Sequence, residues 1–235
     1  MKPMKSLCLS MCCAALAGLM SPMSFAELQA SSNAEEMSLI VDQSRLQIHR
    51  SKDLEESPRA SSAFSQIQVH PASVKFRRNW RRDYNLDRNS LMDHISKQDE
   101  EKLLASATEL FNEEFLKVLP KHSRFTLSSN SDSKTLILKP KIVDLVINGP
   151  DLKHGRASRQ VKVYSAGKAT LVLEVVDGAT GTLLGTIKSR RESPDYHELR
   201  NASSVFNRSE AKRMINRWAK DLDRNLTTLL DGTSV

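Results

Sequence analysis

The chain has 235 residues, with 35 Lys and Arg against 28 Asp and Glu and a formal net charge of +7, which suits one domain with a substantial core plus a tail. All three cysteines, Cys8, Cys12 and Cys13, fall in the first 13 residues. The remainder therefore has no thiol for a disulfide, a Cys-bound metal or a cysteine nucleophile.

The opening MKPMKSLCLSMCCAALAGLMSPMSFA places Lys2 and Lys5 before an apolar run from Leu7 to Met20, then Pro22, Ser24 and Ala26. That is the layout of a secretory signal peptide, residues 1–26, with cleavage expected after Ala26. The run is shorter than the roughly 20 apolar residues of a spanning helix, and no later stretch exceeds it, so the exported chain is expected to be soluble and periplasmic. An outer-membrane lipoprotein would use Cys12 as its lipidated residue, but most of the apolar run follows that cysteine, which favours ordinary cleavage. Without the signal the net charge is +5. Residues 27–65 carry net −3, while residues 66–88 carry net +4, so the two segments are expected to attract.

Residues 27–65 hold nine serines and one aromatic, Phe64, too little apolar surface to offset ordering entropy. They read as a polar, partly disordered leader, except that SLIVDQSRLQI, residues 38–48, has apolar residues to pin on the domain surface. The domain itself is expected over residues 66–231. It opens with a strand, Gln66–Val69, ended or bent by His70 and Pro71. The segment KFRRNWRRDYNLDR, residues 75–88, reads as a surface connection, followed by a short helix from Ser90 to Ile95. Ser96 and Asp99 then signal a helix start. Leu103, Leu104, Ala107, Phe111, Phe115 and Val118 make its buried stripe, and Pro120 is expected to stop it.

Thr135–Ile147 reads as the next strand, with Pro140 suggesting an edge or a bulge. After a basic loop, Lys168–Val176 and Thr182–Arg191 flank DGATG as a β-hairpin. The last helix is expected to open at Asn207, with Glu210 at capping-box spacing, and to bury Ala211, Ile215, Trp218, Leu222, Leu226 and Leu229. The order β-α-β-β-β-α predicts an α+β two-layer sandwich: a mostly antiparallel sheet of about four strands with two amphipathic helices on one face.

Four stretches, VDQSRL (41–46), IQVHPASVKF (67–76), LEVVDGATGTLLGTIKSR (173–190) and NRWAKDL (216–222), give a pattern that resembles the domain-of-unknown-function 3313 family of Gram-negative envelope proteins. The resemblance spans roughly residues 39–230. It implies an envelope location and does not imply a catalytic activity. The chain departs from the family in lacking a convincing lipidation cysteine and in the basic character of residues 75–88.

Sites for chemistry are sparse. Glu174 and Asp177 suggest a carboxylate pair, but Asp177-Gly178 is turn chemistry and Glu174 alternates onto the solvent face. Asp195, His197 and Glu198 occupy a polar loop, and the six histidines show no paired ligand spacing. No catalytic residue, cofactor or metal site is therefore assigned, and a hydrolase is the minor reading. The candidate contact for an anionic partner comprises Lys75, Arg77, Arg78, Trp80, Arg81 and Arg82, joined by Arg156, Arg159 and the strand-end Lys188, Arg190 and Arg191 if the fold brings them together. Trp80, bracketed by arginines, is suited to cation-π contact, base stacking or anchoring of its own loop. The expected function is that of a non-catalytic periplasmic accessory or binding module. Its partner is an envelope protein or an anionic envelope component, with peripheral membrane contact allowed. The alternative is a polyanion binder for lipopolysaccharide, acidic polymers or extracellular DNA; export argues against intracellular nucleic acid.

Overall fold

The alternating apolar strands Thr135–Ile147 (β5), Gly167–Asp177 (β7) and Leu183–Glu192 (β8) form the centre of the sheet in the computed structural model, which describes residues 46–88, 94–152 and 161–232. Both neighbouring pairs, β5 with β7 and β7 with β8, are antiparallel. Around them lie Leu46–Arg50 (β1), Gln66–Val69 (β2), Ser73–Phe76 (β3) and Thr126–Leu127 (β4). The strand order is β1-β8-β7-β5-β2-β4, with β3 also on β5, a seven-stranded sheet. Lys162–Val163 (β6) and Arg200–Asn201 (β9) pair separately.

This corrects the expected sheet of about four strands. β2 and β3 are two halves of one line beside β5, both parallel to it, interrupted at His70–Ala72 where Pro71 has no N–H to donate. β4 adds a second parallel pairing, to β2. The sheet is thus mixed, and four helices accompany it among the described residues: Lys52–Glu56 (α1), Trp80–Leu86 (α2), Lys97–His122 (α3) and Ser204–Asp231 (α4). Residues 46–65, in the stretch read as a leader, supply β1 and the buried side chains of Leu54 and Phe64. The signal peptide and the first part of the leader, residues 27–45, lie outside the described residues, as does most of the short helix expected at 90–95.

α3 starts where the sequence signals it. Ser96 Oγ accepts from Asp99 N at 3.2 Å, and Asp99 Oδ2 accepts from Ser96 N at 3.0 Å, a closed capping box. Pro120 does not end the helix, which continues to His122. α4 begins four residues before the expected cap. Ser203 Oγ accepts from Phe206 N at 3.1 Å, while Asn207 Nδ2 donates to Gly149 O at 2.8 Å and Glu210 accepts from Tyr196 OH at 2.6 Å. The Asn-x-x-Glu pair is therefore spent on tertiary contacts.

α3 and α4 run side by side in the same direction. Glu113 meets Arg208, Glu114 meets Lys212, and Ser123 Oγ donates to Asp223 at 2.8 Å. Both helices bury their apolar stripes on one face of the sheet, in a single core with Leu136, Leu138 and Ile142 of β5, Leu171, Leu173 and Val175 of β7, and Leu184 and Ile187 of β8. α4 alone places Ile215, Trp218, Leu222, Leu226, Leu229 and Leu230 there. Each fully buried side chain of this size contributes about 1.5–3 kcal/mol, so packing rather than helix propensity holds α4.

A smaller cluster joins Trp80, Tyr84, Ile95 and Val146 beyond the main core. No helix among the described residues is long and apolar enough to cross a membrane.

Candidate functional site

The basic stretch 75–88 is not an open loop. Lys75 lies on β3, Arg77 and Arg78 in the turn after it, and the rest forms α2. Trp80 is only 3% exposed, stacked on Phe76 with centroids 3.8 Å apart, and its Nε1 donates to Ile147 O at 3.3 Å. It anchors α2 instead of facing a ligand. The arginines around it are largely engaged: Arg77 and Arg82 share Asp83 at 3.3 and 3.4 Å, Arg81 pairs with Glu100 at 2.8 Å, and Arg88 lies over the Tyr84 ring. Arg78 is exposed, with no ion-pair partner among the described residues.

Arg190 and Arg191 go to opposite sides of β8. Arg191 pairs with Asp221 of α4, on the helix side, while Arg190 is exposed on the other face. Arg156 and Arg159 lie outside the described residues. Among the described members of the expected patch, Lys75, Arg78, Lys188 and Arg190 are exposed and have no ion-pair partner among the described residues.

The strand register supplies other cations. Core residues of β5 and β7 alternate with a second set, in which Lys139 stands opposite Glu174 and Lys141 opposite Val172. On the next strand Lys188 stands opposite Val172 and Arg190 opposite Thr170. Lys75 is two residues along β3 from Ser73, which is paired with Lys141. Lys75, Lys139, Lys141, Lys188 and Arg190 therefore share the sheet face turned away from α3 and α4. Glu174 pairs with Lys141 there, and the other four have no ion pair among the described residues.

The acids weighed for catalysis do not converge. Glu174 is held by Lys141 on the open face. Asp177, buried at the hairpin turn, accepts from Ala179 N at 2.8 Å and pairs with Arg59. Asp195 Oδ1 accepts from His197 N at 2.9 Å in the loop after β8. Three groups have hydrogen-bonded partners that move their titration; the Thr135 hydroxyl and the Lys134 N–H hold Asp132 below the usual aspartate range. The Lys212 ammonium holds Glu114 below the usual glutamate range, and hydrogen bonding to Glu210 pushes Tyr196 up.

On the opposite side of the sheet, between the N-terminal half of α3, the start of α4 and strands β3, β5 and β7, lies a cavity of about 350 Å³. Its walls are Leu110, Phe111, Ile142, Met214, Ile215 and Trp218, with Ala107, Ala166, Gly167, Ala169 and Ala211 contributing little bulk. Ser106, Asp151, Ser204, Asn207 and Arg208 are its polar members. Trp218 is 5% exposed, and its Nε1 has no hydrogen-bond acceptor among the described residues. Buried Asn207 Oδ1 likewise has no donor there.

No family model matches the chain and no curated protein matches it, so the likeness to the domain-of-unknown-function 3313 family remains a resemblance. Solved structures are similar only loosely. PelC from Paraburkholderia phytofirmans, a dodecamer, is 9% identical with a TM-score of 0.37, over 74% of this chain and 96% of that one. Protein XCC0632 from Xanthomonas campestris is 8% identical with a TM-score of 0.38, over 74% and 94%. Likenesses at this level carry no argument about function.

Sequence reasoning missed the cavity and two of the five sheet-face cations, Lys139 and Lys141. Both carried a legible signal, since each alternates with apolar residues in a strand that was expected. The cavity carried none, because alanines in an amphipathic helix read as good helix formers.

Proposed function

We propose that this protein is a non-catalytic binding module of the cell envelope whose partner is an anionic envelope component, held on the open face of the sheet. The observation that carries the reading is the cluster of Lys75, Lys139, Lys188 and Arg190, cations that share one face and have no ion-pair partner among the described residues. Adjacent strands lie about 4.8 Å apart, so the Lys141 and Lys188 positions, two strands apart, are separated by roughly 10 Å. A lattice of positive charge at that spacing suits a polymer or surface carrying repeated negative groups. The scattered placement of Glu174, Asp177 and Asp195 supports a role without catalysis, and the export segment supports a periplasmic one.

The test is retention on immobilised lipopolysaccharide and on heparin at rising salt. The unmodified chain is expected to elute earlier as salt rises, because each neutralised charge releases counterions. Reversing Lys188 and Arg190 to Glu, both exposed, is expected to abolish most retention. Reversing Arg77 and Arg82, which already share Asp83, is expected to matter less. Salt-insensitive retention, or retention unchanged by Lys188→Glu with Arg190→Glu, refutes the reading.

A further inference from the structure

We propose that the cavity between α3, α4 and the sheet binds a single-chain amphiphile, with its hydrocarbon among Phe111, Ile142, Met214 and Trp218 and its oxygen-bearing head at the polar rim. The site lies on the opposite side of the sheet from the cations described above, and the inference does not depend on them.

Three observations converge. A space of about 350 Å³, half open to solvent, lies between the helices and the sheet, a volume at the small end of the roughly 300–1,000 Å³ range of ligand sites. The space is lined by small residues, Ala107 and Ala211 on the helices and Ala169 on β7, where larger side chains would occupy it. Finally, two buried polar atoms are unsatisfied: the Trp218 indole N–H and Asn207 Oδ1. Buried polar groups are nearly always hydrogen-bonded. Asn207 lies at the polar rim beside Arg208, where a hydroxyl of the head group offers its Oδ1 a donor that a pure hydrocarbon lacks.

The rim fits the other end of such a molecule. Asp151 is occupied in accepting from Ser204 N at 2.9 Å, and Arg208 is tied only by a 3.5 Å contact to exposed Glu113. An exposed pair of this kind contributes little, so Arg208 is available to an anionic or polar head. The ligand class is therefore an acyl chain ending in oxygen, either a free fatty acid or a monoacyl lipid, which differ only in the head outside the cavity.

The purified full chain would be examined by native mass spectrometry for a copurified acyl adduct, then titrated by calorimetry with dodecanoate and with a lysophospholipid, each below its micelle concentration. The expected result is an adduct or saturable one-to-one binding. Ala107→Leu and Ala211→Leu, which add bulk to the cavity wall with a residue that favours helix, are each expected to weaken binding about tenfold or more while the unfolding temperature is kept or raised. The two titrants distinguish the source: binding of dodecanoate alone indicates a fatty acid, and binding of both indicates a head that projects freely. Neither adduct nor saturable binding, or affinity unchanged in both folded variants, overturns the proposal. Should one variant fail to fold, the other carries the test.

Discussion

Replacing Trp80 separates an anchor from a contact residue. Its indole is 3% exposed, stacked on Phe76 at 3.8 Å with planes 6° apart, and 6.0 Å from the Tyr84 ring, and it donates to Ile147 O. Trp80→Ala removes the largest member of the second cluster and its hydrogen bond to that carbonyl, a loss of about 3–5 kcal/mol. That is a large part of the roughly 5–15 kcal/mol stability of a typical domain. With a urea dependence of about 1–3 kcal/mol per molar, the unfolding midpoint should fall by at least about 1 M. Trp80→Phe keeps a ring against Phe76 and loses mainly the hydrogen bond, about 1 kcal/mol, so its midpoint should fall much less. Equilibrium urea unfolding followed by far-ultraviolet circular dichroism measures both. An unchanged midpoint in Trp80→Ala together with lost polyanion retention would refute the reasoning, because it would make Trp80 an exposed contact after all.

Gly167 has φ +145° and its Cβ would sit 1.9 Å from Val146 O; Gly167→Ala should cost about 2 kcal/mol or more, lowering the unfolding temperature by about 4–8 °C in calorimetry. Asp177→Ala strands the Ala179 N–H and leaves Arg59 without its carboxylate, a loss of about 1–3 kcal/mol. Asp177→Asn, which keeps a turn acceptor, should cost clearly less in the same urea titration. Glu114 is held below its ordinary pKa chiefly by its hydrogen bond to Lys212. A depressed carboxylate stabilises the fold fully above the unfolded value and loses that contribution as pH falls through the folded one. The unfolding midpoint should therefore drop as pH falls below the ordinary glutamate value of 4.5, and Glu114→Gln should flatten that part of the profile; an unaltered profile in the variant would discount the pair.

The elements legible in the sequence were those whose period repeats long enough to count. α3 and α4 show three- and four-residue spacing over many turns, and β5, β7 and β8 alternate across a signalled turn at Asp177-Gly178. β1 escaped notice because LQIHR has two apolar residues and sits in a serine-rich, charged stretch. Its place is set by pairing with β8, from Leu46 opposite Ser189 to Arg50 opposite Gly185, which no local pattern encodes. α2 was hidden in a run of arginines, and its seven residues are too few to form without Trp80 and Tyr84 buried beneath them. Neutralisation of the basic stretch was equally non-local: Arg81 finds Glu100 only because α2 sits beside the first turn of α3.

The charge on the open sheet face does not follow from the fold. Alternation demands only that residues between core positions be polar, and opposite charges placed across neighbouring strands would serve best, since such pairs stabilise and like charges repel. The Lys141–Glu174 contact shows that the register permits pairing of this kind. Yet Lys188 stands opposite Val172 and Arg190 opposite Thr170, with no acid for either. Substituting Glu for Val172 would place an acid directly between Lys141 and Lys188 without disturbing the core, which lies on the other face. If stability alone had shaped this surface, Val172→Glu should raise the unfolding midpoint, by about 0.2–1 kcal/mol for each pair formed, and leave retention on lipopolysaccharide unchanged. If the surface is kept basic for an anionic partner, the same substitution should stabilise the protein and weaken that retention. Measuring both in one variant distinguishes the two origins, and a stabilised variant that binds as before refutes the functional one.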